Sequence, residues 1–259
     1  MDLFAALTLQ IIYGIANLVL ISIGLAVIFG MMRVINLAHG EFLMLGGYTV
    51  IVSTNSGVNI WVAMFILAPL VVGLIGLIVE WVLIRFLYGR MVDTLLATWG
   101  LSLLFIGLIT TIFGAQTTTT ISAPFGPIPI GEFSSSGYEV FLIFVAIILI
   151  LLLYLLLRYT KLGLVARGTM QAADMAAALG ISTQRVYSMT FGIGAALSGL
   201  AGGLLAPITG ILPTIGAIYI GKAFITVISG GTAILAGTAA ASILLGRVKI
   251  RRAACRASA

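Results

Sequence analysis

Three side chains that can form hydrogen bonds lie within six residues of one another: Asn36, His39 and Glu41. Apolar stretches flank them on both sides. Polar groups at membrane depth are costly and usually face a cavity or a partner, so this cluster is a candidate lining for a substrate path. The alternative is an interfacial turn in which Asn36 caps a helix. A metal site is disfavoured, because His39 and Glu41 have no further ligands nearby.

A second candidate is the longest polar stretch, residues 158–185. Ala, Met and Leu fill most of residues 169–179, and Gly180 follows as a helix stop, which predicts one short helix outside the membrane. Such a helix can dock into a partner groove through an apolar face. The alternative is a solvated connecting helix.

Residues 216–223 (GAIYIGKA) nearly match the phosphate-binding P-loop. The pattern ends in Ser or Thr, but Ala223 stands there, and the segment opens an apolar span instead of following a strand. No nucleophile and base pair for covalent catalysis is recognisable either. We therefore expect neither an enzyme nor a bound cofactor in this chain, and any ATP would be hydrolysed by a partner.

The composition indicates the class of protein to which these segments belong. Hydrophobic types make up 61% of the 259 residues and charged types 8%, whereas soluble domains carry about 25% charge. This balance excludes a soluble or disordered chain and leaves an integral membrane protein. Cys255 is the single cysteine, so no disulfide can form within the chain.

Apolar windows predict an all-α, polytopic helical bundle of about seven spans, one of them short or broken. The predicted spans are residues 8–31, 60–84, 94–113, 139–157, 186–207 and 218–246, with a short run at 42–52. The short run cannot cross a core of about 30 Å by itself. Either its helix starts near Asn36 and carries His39 and Glu41 into the membrane, or it is a broken half-helix.

Ala195, Gly199 and Gly203 recur every four residues, which favours close helix packing.

Basic residues predict the orientation. With seven alternating spans, one side holds twelve of the thirteen Lys and Arg residues, the other side holds none, and Lys222 lies within the last span. The basic side is therefore expected to be cytoplasmic, with the N-terminus outside and the C-terminus inside. The net charge of +6 then reports topology, and we expect no nucleic-acid partner.

Several separated motifs resemble the permeases of bacterial branched-chain amino acid type ABC importers. They are residues 34–41 (VINLAHGE), 44–48 (MLGGY), 163–180, 190–203, 222–224 (KAF), 230–231 (GG) and 235–237 (LAG). The likeness runs from about residue 8 to 246. Residues 93–103 (DTLLATWGLSL) and 113–116 (FGAQ) look most like the urea-transport permeases, so urea or a short amide is the expected substrate, with a branched-chain amino acid as the alternative.

The resemblance implies a multi-pass protein of the bacterial inner membrane, in contact with lipid. It further implies a pore formed with a second permease, identical or related, two cytoplasmic ATPases and a periplasmic substrate-binding protein. Asn36, His39, Glu41 and Thr98 would border the substrate path. Within residues 158–185, the residues that couple the permease to the ATPase would be Arg167, Gln171, Asp174, Ala177 and Leu179.

The end of the chain departs from the resemblance. Family members continue with another apolar helix, whereas a permease domain of residues 1–246 is followed here by a basic segment, 247–259. We expect that final helix to be missing, through a frameshift or truncation, which makes a nonfunctional remnant one alternative. Another is a self-contained channel or secondary transporter, with Glu80, Lys222, His39 and Glu41 as ion or proton sites.

Overall fold

The computed structural model describes residues 2–115, 121–130 and 133–230, and these form a bundle of helices. The helices are α1 (Asp2–Met32), α2 (His39–Asn55), α3 (Ile60–Val62), α4 (Ala68–Val82), α5 (Met91–Phe113), α6 (Gly137–Tyr159), α7 (Lys161–Gln171), α8 (Ala173–Ala178), α9 (Thr183–Thr209) and α10 (Ile215–Gly230). A π-helical turn, Ala63–Leu67, joins α3 to α4, and a 3₁₀ turn, Ile84–Phe86, follows α4.

Five described helical segments are long and apolar enough to cross a membrane. They are Leu7–Met32, Ile60–Phe86, Met91–Phe113, Gly137–Tyr159 and Thr183–Thr209. The 17 residues of α2 and the 16 of α10 add two shorter helices. The prediction of a polytopic helical membrane protein is confirmed.

Helix α9 lies at the centre and packs against α1, α2 and α4. Its small residues allow this approach, because a Cβ atom on Gly199 would lie 2.6 Å from the Val72 Cβ in α4. On the α2 side, a Cβ atom on Gly46 would lie 2.1 Å from the Gly199 carbonyl oxygen. The predicted packing role of the small residues in α9 is confirmed.

Residues 33–36 are irregular, with Arg33 at a φ of +51°, and residues 37–38 form a turn that leads into α2 within the bundle. His39, the first residue of α2, contacts the Ile21 carbonyl, and Ile21 lies eleven residues before the end of α1. At about 1.5 Å per residue, α2 therefore begins roughly 16 Å inside the end of α1. Helix α2 is short, it starts three residues after Asn36, and His39 and Glu41 at its beginning are buried within the bundle.

The connection between the predicted spans 94–113 and 139–157 contains a feature that composition did not indicate. Two short strands, β1 (Pro127–Ile130) and β2 (Phe133–Ser136), pair antiparallel, with Pro127 opposite Ser136. This hairpin contacts α1 and does not alter the helical class of the fold.

The seventh predicted span begins three residues earlier than expected, at Ile215. Its second half, the motifs at residues 231 and 235–237, and the basic segment 247–259 with Cys255 lie outside the described residues, as does Gln116.

Candidate functional site

The segment that precedes α2 is held to α5 by Thr98. The backbone N–H of Leu37 donates to Thr98 Oγ1 at 3.1 Å, and Thr98 donates to the Thr94 carbonyl at 2.8 Å. Asn36 Oδ1 accepts from the Ala38 N–H at 3.0 Å. Asn36 therefore stabilises the turn that precedes α2 and does not cap the helix itself, whose N-cap residue, Ala38, offers no side-chain hydrogen bond.

His39 joins three helices. Its Nε2 lies 2.8 Å from the Ile21 carbonyl oxygen in α1, and its Nδ1 lies 3.2 Å from Ser198 Oγ in α9. A carbonyl oxygen can only accept, so Nε2 carries the proton and donates it. Ser198 Oγ also lies 2.8 Å from the Gly194 carbonyl, so its single proton serves either that carbonyl or the imidazole. His39 is fully buried and fixes the relative positions of α1, α2 and α9.

Glu41 lies between α5 and the beginning of α10. Its Oε1 accepts from Ser102 Oγ at 2.8 Å. Its Oε2 lies beside Gly216, where an added Cβ atom would be 2.1 Å away. The positive end of the α10 dipole favours a carboxylate at this place. Gly216 also lies against Gly40, so the N-terminal ends of α2 and α10 meet around this carboxylate.

Two polar atoms at this junction have no hydrogen-bond partner among the described residues: Asn36 Nδ2 and Glu41 Oε2. Both side chains are buried, with exposed fractions of 0% and 1%. Unpartnered buried polar atoms are uncommon in proteins and call for an explanation. One is a donor and the other an acceptor, and neither offers a nucleophile for covalent chemistry.

The structure thus brings together all four residues that the sequence assigned to a path, Asn36, His39, Glu41 and Thr98. Sequence reasoning missed Ser102 and Ser198. A signal for Ser102 was available, since Thr94, Thr98 and Ser102 follow one another at four-residue spacing on one face of α5 and all three are buried. Ser198 carried no comparable signal, because its neighbours are small packing residues.

The segment 158–185 differs from its prediction, because it forms two helices instead of one. Thr160 Oγ1 accepts from the Gly163 N–H at 3.0 Å, so α7 starts at Lys161, eight residues before the predicted helix. It ends at Gln171, and α8 follows after Ala172, whose backbone is not helical. The predicted stop at Gly180 is confirmed: its φ is +83°, and the Ile181 N–H donates to the Ala176 carbonyl at 3.0 Å, as in a Schellman motif.

Helix α7 rests on the membrane helices, whereas α8 presents side chains outward. Gly163, Ala166 and Thr169 are the buried residues of α7 and face the ends of α1, α6 and α9. The predicted coupling residues are placed differently from one another. Arg167 is half-buried and donates from Nε to the Gly163 carbonyl at 3.3 Å. The other four are exposed: Gln171, Asp174, Ala177 and Leu179.

Polar residues also gather where α4 ends. Glu80, with 2% of its surface exposed, accepts hydrogen bonds from Tyr88 Oη and, at 2.5 Å, from Ser188 Oγ in α9. Lys222 is exposed on α10, with Nζ 5.9 Å from the Tyr219 ring centre. Among the described residues, no group of three or more His, Cys, Asp or Glu side chains is arranged to hold a metal ion.

Comparison with known proteins adds a family match. The family described as branched-chain amino acid transport system / permease component matches residues 7–256. The LivH permease protein of a high-affinity branched-chain amino acid transport system from Salmonella typhimurium is 29% identical over 245 residues, which cover 88% of this chain and 79% of the relative.

Two further relatives carry similar names. The permease protein BraD of Pseudomonas aeruginosa is 30% identical over 246 residues, 88% of this chain and 79% of BraD. The probable permease LivH of Methanocaldococcus jannaschii is 27% identical over 241 residues, 88% of this chain and 75% of the relative. No solved structure matches the chain.

Proposed function

Because the chain belongs to the family of permease components of branched-chain amino acid transport systems, we propose that it forms part of a translocation path for branched-chain amino acids. Membership makes it a membrane-embedded transport subunit of an ABC importer, a class that works with ATPases and substrate-binding proteins, and not itself an enzyme. The match of residues 7–256 is the observation that carries this proposal.

The proposed substrate differs from the one first expected. Residues 93–103 and 113–116 favoured urea, whereas the relatives reported above are named for branched-chain amino acid transport. Their names support the branched-chain amino acid alternative over urea. An amino acid brings an ammonium and a carboxylate group, which suit an unpartnered acceptor and donor such as Glu41 Oε2 and Asn36 Nδ2.

The proposed orientation places α7 and α8 in the cytoplasm, with the N-terminus outside. It is supported by the twelve basic residues predicted on that side, and by the alternation of helix ends from α1 to α9. A second permease would complete the pore, and a cytoplasmic ATPase would bind each permease through α8. The side chains of Met175 and Leu179, 69% and 81% exposed, are suited to a protein groove.

The first experiment tests transport. The chain is reconstituted in liposomes with its partner permease, ATPases and binding protein, and uptake of labelled leucine, valine and urea is measured with and without ATP. ATP-dependent uptake of the amino acids is the expected result. Uptake of urea alone would restore the first expectation, and uptake without the ATPases would favour a self-contained transporter.

The second experiment tests the path residues. Glu41→Gln keeps the acceptor for Ser102 and replaces the unpartnered oxygen by a donor, so we expect slower uptake in an assembled complex. Ser22→Ala is the matched control, because the Ser22 hydroxyl bonds only carbonyls of its own helix. Unchanged uptake by Glu41→Gln would leave this residue as a packing feature of the junction.

The third experiment tests the ATPase contact. Ala177→Asp and Leu179→Asp place charge on the exposed end of α8 and should reduce co-purification of the ATPase, since a buried unpaired charge is costly. Ser56→Asp, exposed at the opposite helix ends, is the control. Co-purification equal to that of the parent chain would contradict docking through α8.

A further inference from the structure

The beginning of α9 is held to the end of α4 and to the turn that follows α4 by three contacts. Glu80 accepts the hydrogen bond from Ser188, which lies in the second turn of α9. The Gln184 side-chain oxygen, turned toward Arg85, accepts from Nη2 at 2.8 Å and from Nε at 3.0 Å. The contacts fall on successive turns of α9, so they fix its direction as well as its position.

The third contact is aromatic. Tyr88, which donates the second hydrogen bond to Glu80, also packs against Tyr187 of α9. The rings of Tyr88 and Tyr187 lie with their centroids 5.0 Å apart and their planes at 57°. Burial, and then the hydrogen bond to Glu80, raise the pKa of Tyr88 above its ordinary value, so its hydroxyl stays a neutral donor to the carboxylate. A carboxylate that accepts two hydroxyl groups forms charge-assisted bonds, which are stronger than neutral ones.

These contacts stand between the proposed coupling segment and the path residues. Gly180 ends the α8 turn, and α9 begins three residues later at Thr183. On the other side of the turn, α5 carries Thr98 and Ser102, which bond Leu37 and Glu41. The Glu80 contacts therefore give a displacement of α8 a direct route toward α5, in addition to the packing of α9 against α2 and α4.

We propose that Glu80 is a positioning residue for transport: it fastens the start of α9 to the end of α4 and, through Tyr88, to the turn that leads into α5, so that movement of α7 and α8 is passed to α5. Glu80 does not touch the substrate. This inference rests on the proposed function, and it replaces the alternative in which Glu80 is an ion or proton site.

The test uses three variants, each removing part of the same contact: Glu80→Gln, Ser188→Ala and Tyr88→Phe. Tyr187→Phe is the matched control, because it removes a hydroxyl from the adjacent ring without touching Glu80. The complete reconstituted transporter is assayed for substrate taken up per ATP hydrolysed. Hydrogen exchange of the backbone amides of residues 183–189 is measured in the purified chain.

We expect each of the three variants to assemble and to show faster amide exchange at the start of α9. Substrate uptake per ATP should fall by a factor of roughly five or more, which is the lower end of typical coupling between sites. Tyr187→Phe should match the parent in both measurements. The loss in the double variant of Glu80→Gln with Ser188→Ala should be smaller than the sum of the two single losses, because both substitutions act on the bond between Glu80 and Ser188. A purely structural role would lower the yield of complex and leave uptake per ATP unchanged.

Two results separate the inference from the function on which it rests. If the parent couples ATP hydrolysis to uptake and the variants retain its uptake per ATP, the role of Glu80 is wrong and the proposed function stands. If the parent shows no ATP-driven uptake, the proposed function fails and the inference falls with it. Should Glu80→Gln fail to assemble, Ser188→Ala and Tyr88→Phe decide the question.

Discussion

Replacing Gly202 by alanine tests whether the contact between α2 and α9 is as close as the packing indicates. A Cβ atom at this position would lie 1.8 Å from the Leu43 carbonyl oxygen and 2.5 Å from its carbon. Ordinary contact begins at 3.4 Å, so the new atom would be about 1.6 Å too close to the oxygen. Both neighbouring atoms are backbone, so no side-chain rotation relieves the clash, and α2 and α9 must separate.

The magnitude follows from two opposing effects. Overpacking of a close interior typically costs about 1–3 kcal/mol. Alanine gains up to about 1 kcal/mol over glycine inside a helix. Because the added atom clashes with backbone that cannot rotate away, its cost lies at the upper end of that range, and we expect a net loss of about 2 kcal/mol. For a chain of this length that loss corresponds to a fall in melting temperature of roughly 4–8 °C.

Gly107→Ala is the matched control, because the same added atom would have no neighbour within 4 Å. Both variants are purified in detergent, and their melting temperatures are measured by fluorescence during heating. Gly107→Ala should melt at or slightly above the parent temperature. Equal melting of Gly202→Ala and Gly107→Ala would refute the close α2–α9 contact.

Three further predictions address the same region and the topology. Thr98→Val removes the oxygen that accepts from the Leu37 N–H, so this variant should lose about 1–3 kcal/mol of stability. Thr111→Val, at an exposed position of the same helix, should have a melting temperature near that of the parent. Ser198→Ala should destabilise by a similar amount in the same melting assay, and an unchanged melting temperature would show that the buried imidazole beside it needs no partner. Cysteines replacing Ser56 and Arg90, in a background without the native cysteine, should react with an impermeant thiol reagent from opposite faces of sealed vesicles; labelling of both from one face would contradict the alternation of helices.

The sequence alone determined the class of protein and most of the helices. A chain with 61% hydrophobic and 8% charged residues cannot cover itself with a surface suited to water, so the membrane environment follows from composition. Spans such as the predicted 94–113 agree with α5 within three residues, because a span needs about 20 apolar residues and a charge or turn residue ends it. Local rules also placed the stop at Gly180, whose positive φ glycine adopts without strain.

Local patterns could not determine how α2 enters the bundle or what Glu41 and Glu80 contact. Hydropathy reports how apolar a segment is, and it cannot show that residues 33–38 return beside α1 or that α2 and α10 begin side by side. Glu80 and Ser188 are 108 residues apart in sequence, and Glu41 and Ser102 are 61 apart. These pairs exist only because small residues such as Gly202 let whole helices approach, and that approach depends on surfaces from distant parts of the chain meeting in three dimensions.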